Sequence, residues 1–135
     1  GDSFLIPSIL NQVASGKIEL KDPEPRRDFL YITDAIRAYI RAGEYSETDF
    51  EVFNIGSGLS YSVREIVHDI LEIWGRQVEV SYQNLRRKNE IMDVVSNIEK
   101  ARQKLGWIPE VELKEGLERY VEWYKTKLKD NTKNL

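Results

Sequence analysis

No cysteine occurs among the 135 residues, which removes disulfides, thiol nucleophiles and thiolate metal sites together. The single histidine, His68, leaves too few imidazoles for a histidine cage and argues against a Ser-His-Asp triad. No G-x-S-x-G elbow is present to expose a serine nucleophile. No apolar run is long enough to cross a bilayer, and no succession of basic, apolar and small residues marks a signal peptide. These absences predict a chain without a membrane span, working in the cytoplasm. Charge of one sign is also lacking: 20 Lys and Arg stand against 23 Asp and Glu, a formal net charge of −3. That balance disfavours broad electrostatic attachment to nucleic acid or to an anionic membrane.

What is present suits a packed α/β domain, or a piece of a larger one. The hydrophobic fraction is 41% and the charged fraction 32%, which supports a core and argues against wholesale disorder. Apolar spacing predicts five helices. The first places Ile6, Ile9, Leu10 and Val13 on one face, with Pro7 in its opening turn and Gly16 past its end. The second starts near Asp34, turns Ile36, Tyr39 and Ile40 inward, and stops at Gly43. The third opens on a Ser62/Glu65 capping box, closes at Gly75 and carries a stripe of Val63, Ile66, Val67, Ile70, Leu71 and Trp74. A short fourth helix runs from about Asn97 to Gly106, ahead of Pro109. The fifth repeats Leu113, Leu117, Tyr120, Val121, Tyr124 and Leu128, after which the polar residues 129–135 are expected to fray.

Strand-like runs lie between the helices at Lys17–Leu20, Asp28–Thr33, Phe50–Ile55, Gln77–Tyr82 and Ile91–Val95. Asp28–Thr33 and Phe50–Ile55 are apolar on both faces, the pattern of strands covered on both sides. Strands alternating with helices predict a layered α/β arrangement.

Few residues carry an obvious chemistry. Gly56-Ser57-Gly58 follows a strand-like run and precedes a helix, as a phosphate loop would. Tyr61 takes the place of the third glycine of G-x-G-x-x-G, and no acidic residue follows on a second strand. A tight turn therefore explains the loop better than direct dinucleotide binding. Arg26-Arg27-Asp28 and Arg86-Arg87-Lys88-Asn89-Glu90 are two basic clusters beside strands. Two separated arginines can converge on a diphosphate, since the guanidinium fork matches phosphate oxygens. Solvated or locally paired arginines explain the same residues, and the residues alone favour that simpler account. His68 falls on the polar side of the third helix with Arg64, Glu65 and Glu72, where an exposed histidine is the expectation. Trp74, Trp107 and Trp123 read as core or subunit contacts.

Three segments in succession resemble one family. Arg27-Asp28-Phe29-Leu30-Tyr31-Ile32-Thr33-Asp34 resembles the R-D-F-x-Y-V-x-D signature of the extended short-chain dehydrogenase/reductases, the NAD-dependent sugar-nucleotide epimerases and dehydratases. Phe53-Asn54-Ile55-Gly56-Ser57-Gly58, followed by Ser62-Val63-Arg64-Glu65, resembles that family's Y-N-I-G-x-G strand and next helix. Ser96 to Ala101, Leu105-Gly106-Trp107-Ile108-Pro109 and Leu113-Lys114-Glu115-Gly116-Leu117 resemble its closing D-x-x-K-A, L-G-W-x-P and L-x-E-G-L. Asn97 stands where the family has Asp, and the segment from Leu20 to Arg27 is short. The first departure alters only a helix cap.

The resemblance implies the C-terminal substrate-binding portion of such an enzyme, an α/β fold of mixed short strands and about five helices lacking the N-terminal Rossmann half. Within one region, 1–135, it implies a substrate lobe from 1–33 and 59–128, with 34–58 packing on a cofactor domain. It further implies that Arg27 and Arg87 contact a nucleotide diphosphate and that Glu90 binds the ribose. Ile18 and Leu20 belong to the strand lying beside the base. The cofactor loop and the Y-x-x-x-K catalytic pair of the family have no counterpart, so NAD belongs to the parent enzyme and none is expected on this portion. The implied partners are a nucleotide-diphosphate sugar and the N-terminal Rossmann half; without that half, the chain is expected either to self-associate or to repack into a compact non-family arrangement. A stand-alone, non-catalytic binding or assembly module derived from the family is the alternative.

Overall fold

The computed structural model describes residues 4–47 and 49–133. Contacts divide the chain into two compact units, the first Gly1–Pro25, Ser62–Ile91 and Lys114–Leu135, the second Arg26–Tyr61 and Met92–Leu113. The boundaries expected at 33/34 and 58/59 concern packing on a partner domain and not these two units.

The first unit is built from α1 (Leu5–Ser15), β1 (Lys17–Leu20), α3 (Val63–Trp74), β4 (Glu79–Tyr82) and most of α5 (Leu113–Lys133). Gly16 ends α1 in the left-handed conformation, its amide reaching the Gln12 and Val13 carbonyls. The chain passes straight into β1, which pairs in parallel with β4, Ile18 opposite Val80 and Leu20 opposite Tyr82. The Ser62/Glu65 capping box forms, and Gly75 closes α3. Ile66, Val67 and Ile70 of α3 are buried, as are Ile9, Leu10, Val13, Ile18, Leu117 and Val121. Arg76 adds a brace by donating to the Val13 and Ala14 carbonyls at the end of α1. On α5, Tyr124 bonds the Asn11 side chain and packs its ring 5.8 Å from that of Trp74, whose carbonyl accepts from Lys125.

The fifth helix continues past Leu128 to Lys133, so residues 129–133, expected to fray, have helical backbone. Lys125, Lys127 and Lys129 near this end complement the helix dipole. The rest of the expected tail, 134–135, lies outside the described residues.

The second unit holds β2 (Arg26–Asp28), α2 (Ile32–Glu44), β5 (Asp93–Val94) and α4 (Glu99–Leu105), with β3 (Ser60–Ser62) leading out of it. Its sheet has the order β3-β2-β5, and β2 runs parallel to β5. Ala38, Ala101, Leu105 and Trp107 form its buried centre, packed around by Leu30, Tyr45, Phe53, Ile55 and Ile98.

Three expectations fail in this unit. Asp28–Thr33 is a strand only as far as Asp28, because the chain enters α2 at Ile32. Phe50–Ile55 joins no ladder among the described residues, although Phe53 and Ile55 pack inward. A strand needs a neighbour to bond, and no ladder partner lies beside this run among the described residues. In α2, Gly43 lies inside the helix, and Ile36, Tyr39 and Ile40 point outward, Tyr39 being 80% exposed. The buried residues of α2 are Asp34 and Ala38, because that face meets Trp107 and α4.

Candidate functional site

The three residues of β2 do different work. Arg26 donates through its guanidinium to the Ser60 carbonyl at 2.6 Å and to Ser60 Oγ at 3.2 Å, while its amide reaches the Met92 carbonyl at 2.7 Å. It thereby ties β2 to both neighbouring strands. Arg27, half-buried, donates through Nη1 to the Arg26 carbonyl at 2.7 Å and stands opposite Val94.

Asp28 turns its carboxylate onto the glycine loop. Oδ1 accepts from the Ser57 amide at 2.7 Å and from Ser57 Oγ at 2.6 Å. Oδ2 accepts from the amides of Gly58 and Ser96, both at 3.1 Å. Burial pushes the Asp28 carboxyl up, but the Ser57 hydroxyl and the three amides together hold it below the ordinary aspartate value. Gly58 is left-handed, at φ +77°. A Cβ at Gly56 would overlap the Ser96 side chain and the Asp28 carboxylate, so the loop needs glycine there.

This arrangement answers the phosphate-loop question. Amides that a bound phosphate would use are turned on the chain's own carboxylate. The opening amides of α3 are taken as well: Val63 by the Pro25 carbonyl, Arg64 by the Pro23 carbonyl and Glu65 by Ser62 Oγ. The residues present do not fit a dinucleotide pyrophosphate, and the loop is a turn cross-braced to β2.

Asp34 is a second node that sequence reasoning missed. It is 1% exposed, and Oδ1 accepts from Arg37 at 2.7 Å while Oδ2 accepts from the Glu110 and Val111 amides at 3.0 Å each. Arg37 also reaches the Glu110 carboxylate and the Ile108 carbonyl. Burial raises the Asp34 carboxyl, and the Arg37 guanidinium with the two amides more than offsets it, so the group titrates below its ordinary value. In the sequence Asp34 closes the R-D-F-x-Y-V-x-D resemblance and falls in a first helical turn, but neither signal gave its carboxylate a task.

In the first unit, Arg87 and Glu90 stand at the two ends of one turn, closed by the Glu90 amide donating to the Arg87 carbonyl at 3.2 Å. Asn89 supplies the left-handed residue this turn uses, at φ +62°, and Asn84 is left-handed earlier in the same loop, at φ +55°. Arg86 anchors the loop on Asp22 at 3.1 Å. Ile18 is fully buried, and its carbonyl accepts from Ser81 Oγ at 3.4 Å; the Leu20 carbonyl accepts from the Gln83 amide at 3.0 Å. Of the expected site residues, Arg87 and Glu90 share a turn, Ile18 and Leu20 share β1, and Arg27 belongs to the second unit.

His68 is exposed, as expected, at 77% of its side chain, next to Asp69 and Glu72. Glu72 pairs with Lys114 at 2.9 Å, so this face of α3 is a solvated, ion-paired surface.

Residues 2–120 match the protein family described as GDP-mannose 4,6 dehydratase. The UDP-glucose 4-epimerase of Corynebacterium glutamicum is 33% identical over 120 residues, which covers 81% of this chain and 36% of that protein. The chain thus spans about a third of the length of the curated relatives it matches. Among solved structures, the UDP-glucose 4-epimerase of Thermotoga maritima with UDP-glucose superposes with a TM-score of 0.85 at 33% identity, covering 95% of this chain and 41% of that one. RMD from Pseudomonas aeruginosa complexed with NADPH superposes with a TM-score of 0.84 at 26% identity, covering 94% and 44%.

Proposed function

The chain belongs to the GDP-mannose 4,6 dehydratase family of NAD-dependent nucleotide-sugar epimerases and dehydratases, and from that premise we propose that it is the C-terminal portion that anchors the nucleotide diphosphate of the substrate. The observation that carries this reading is the Arg87–Glu90 turn. A left-handed Asn89 and a closing hydrogen bond hold a guanidinium and a carboxylate at its two ends. A cation suits a diphosphate, and an acid three residues along suits the adjoining ribose hydroxyls. In this reading Arg27 is a second diphosphate contact, and the strand carrying Ile18 and Leu20 lies beside the base.

Anchoring the handle orients the sugar for chemistry performed elsewhere, which is how binding remote from the reacting bond raises a rate. That chemistry belongs to a parent enzyme, set in the cytoplasm, whose N-terminal Rossmann half holds NAD and the catalytic Tyr and Lys. Ile32, Ile36, Tyr39 and Ile40 form an exposed apolar face of α2 that such a half would cover, and Phe50 and Val52 are exposed as well. The unladdered run 50–55 would gain its strand neighbours from the same half. Residues 34–58 are, in this proposal, the stretch that packs on the cofactor domain.

The test is a titration of the 15N-labelled chain with UDP, dTDP and GDP. Shifts centred on residues 86–90 that vanish in Arg87→Ala support the proposal. Shifts of equal size in Arg87→Ala, or none with any nucleotide, overturn it and leave an assembly module.

A further inference from the structure

The proposed function leaves Asp28 without a task, yet its carboxylate accepts four hydrogen bonds. Four donors converge on its two oxygens, from Ser57, Gly58 and Ser96, and the glycine at 56 exists in effect to leave room for it. These donors come from two segments remote in sequence, 56–58 and 96, and Asp28 draws both against the end of β2. Arg27 is the residue immediately before it. At the other side of Arg27, Arg26 is fixed to Ser60 and Met92. A three-residue strand pinned at its first and last positions leaves its middle residue no freedom of backbone direction.

We infer that Asp28 is the positioning residue for Arg27: its carboxylate clamps the glycine loop and Ser96 to β2, and so fixes the direction in which the Arg27 guanidinium is presented to a diphosphate. This rests on the reading of Arg27 as a diphosphate contact. The glycine loop, in which a phosphate site would be sought, then serves the ligand indirectly by seating the carboxylate beside the arginine that meets it.

Asp28→Asn is a discriminating variant because it keeps the shape. An asparagine offers one oxygen and one NH2, so in either orientation an N–H pair faces donors: Gly58 and Ser96 in one, Ser57 in the other. The experiment measures UDP affinity of the 135-residue chain as a double-mutant cycle of Asp28→Asn with Arg27→Ala. Asp28→Asn is expected to weaken UDP by about tenfold, the worth of one misdirected charge-assisted bond, and to have no further effect once Arg27 is Ala. An equal loss in both backgrounds shows a general structural role and overturns the inference. No loss on Asp28→Asn, where Arg27→Ala does weaken UDP, overturns the inference and spares the reading of Arg27. No loss on Arg27→Ala overturns that reading instead. A second readout needs no ligand: Asp28→Asn is expected to shift the Arg27 backbone and Nε–Hε resonances along with those of Ser57, Gly58 and Ser96. Arg27 signals that stay in place overturn the inference even in a chain that takes no nucleotide. Should Asp28→Asn fail to fold, Ser57→Ala removes one donor, leaves the three amides, and carries the same cycle with a loss of about threefold.

Discussion

The indole of Trp107 donates through Nε1 to the main-chain carbonyl of Asp34 at 3.0 Å, so a buried ring and a buried carboxylate meet at one residue. The ring fills the centre of the second unit, and the carboxylate caps the turn at Glu110 and Val111 that follows it. Trp107 and Asp34 therefore stabilise the same junction from two directions. Trp107→Phe, which keeps much of the ring and loses the donor, is expected to cost about 1–2 kcal/mol, and Trp107→Ala about 3–5 kcal/mol. Asp34→Ala strands two amides and Arg37, and is expected to cost about 2–3 kcal/mol. Urea unfolding followed by tryptophan fluorescence measures the ranking. An Asp34→Ala variant as stable as the parent would refute it.

Acid should act on the second unit through Asp28 and Asp34. Both carboxyls titrate below the ordinary 3.8 when folded. The unfolded chain thus binds protons first as the pH falls, and stability declines between 3.8 and the depressed values. Their stabilisation is expected in full above pH 5 and lost progressively below 4. Asp28→Asn removes one of the two contributions and should flatten the acid limb while lowering stability at pH 7. Melting curves at half-unit steps from pH 3 to 7 measure this. An unchanged acid limb in Asp28→Asn would count against the Asp28 share.

Self-association is expected from the outward face of α2. Tyr39 is 80% exposed, and Ile32, Ile36 and Ile40 of the same helix are exposed with it. Light scattering should show a mass that rises with concentration. Ile36→Glu with Ile40→Glu should hold the chain at 15.8 kDa while changing its stability by less than about 0.5 kcal/mol, since neither side chain is buried. A parent chain that stays monomeric at millimolar concentration would contradict the expectation.

Local signals carried most of what the sequence revealed. The Ser62/Glu65 box, Gly16, Gly75 and Gly106 mark helix ends through contacts made within a few residues, and each appears where it was expected. Phe50–Ile55 has the composition of a strand, but composition cannot supply the neighbouring backbone that makes one. The apolar positions of α2 were legible and their direction was not, because a helical stripe says that a face wants cover without saying from what. The bonding roles of Asp28 and Asp34 stayed hidden for a different reason. Apart from Arg37, their donors lie 29 to 77 residues away, and a carboxylate looks the same in a sequence whether it faces water or four N–H and O–H groups.

The turn at Arg87–Glu90 offers the sharpest separation of backbone from side chain. Asn89 holds φ at +62°, a conformation that Asn and Gly adopt readily and a β-branched residue resists by roughly 1–2 kcal/mol. If this turn presents Arg87 and Glu90 to a nucleotide, the Asn89 side chain matters less than its backbone angle. Asn89→Gly is then expected to keep UDP affinity within about threefold, the gain in flexibility being small, while Asn89→Val loses about tenfold by opening the turn. Asn89 is exposed in a surface loop, so thermal unfolding of the two variants should differ far less than their affinities. Calorimetric titration with UDP beside a melting curve reads the two quantities separately. Equal losses in Asn89→Gly and Asn89→Val would place the effect on the amide side chain, and the turn would no longer be the element that pairs cation with acid.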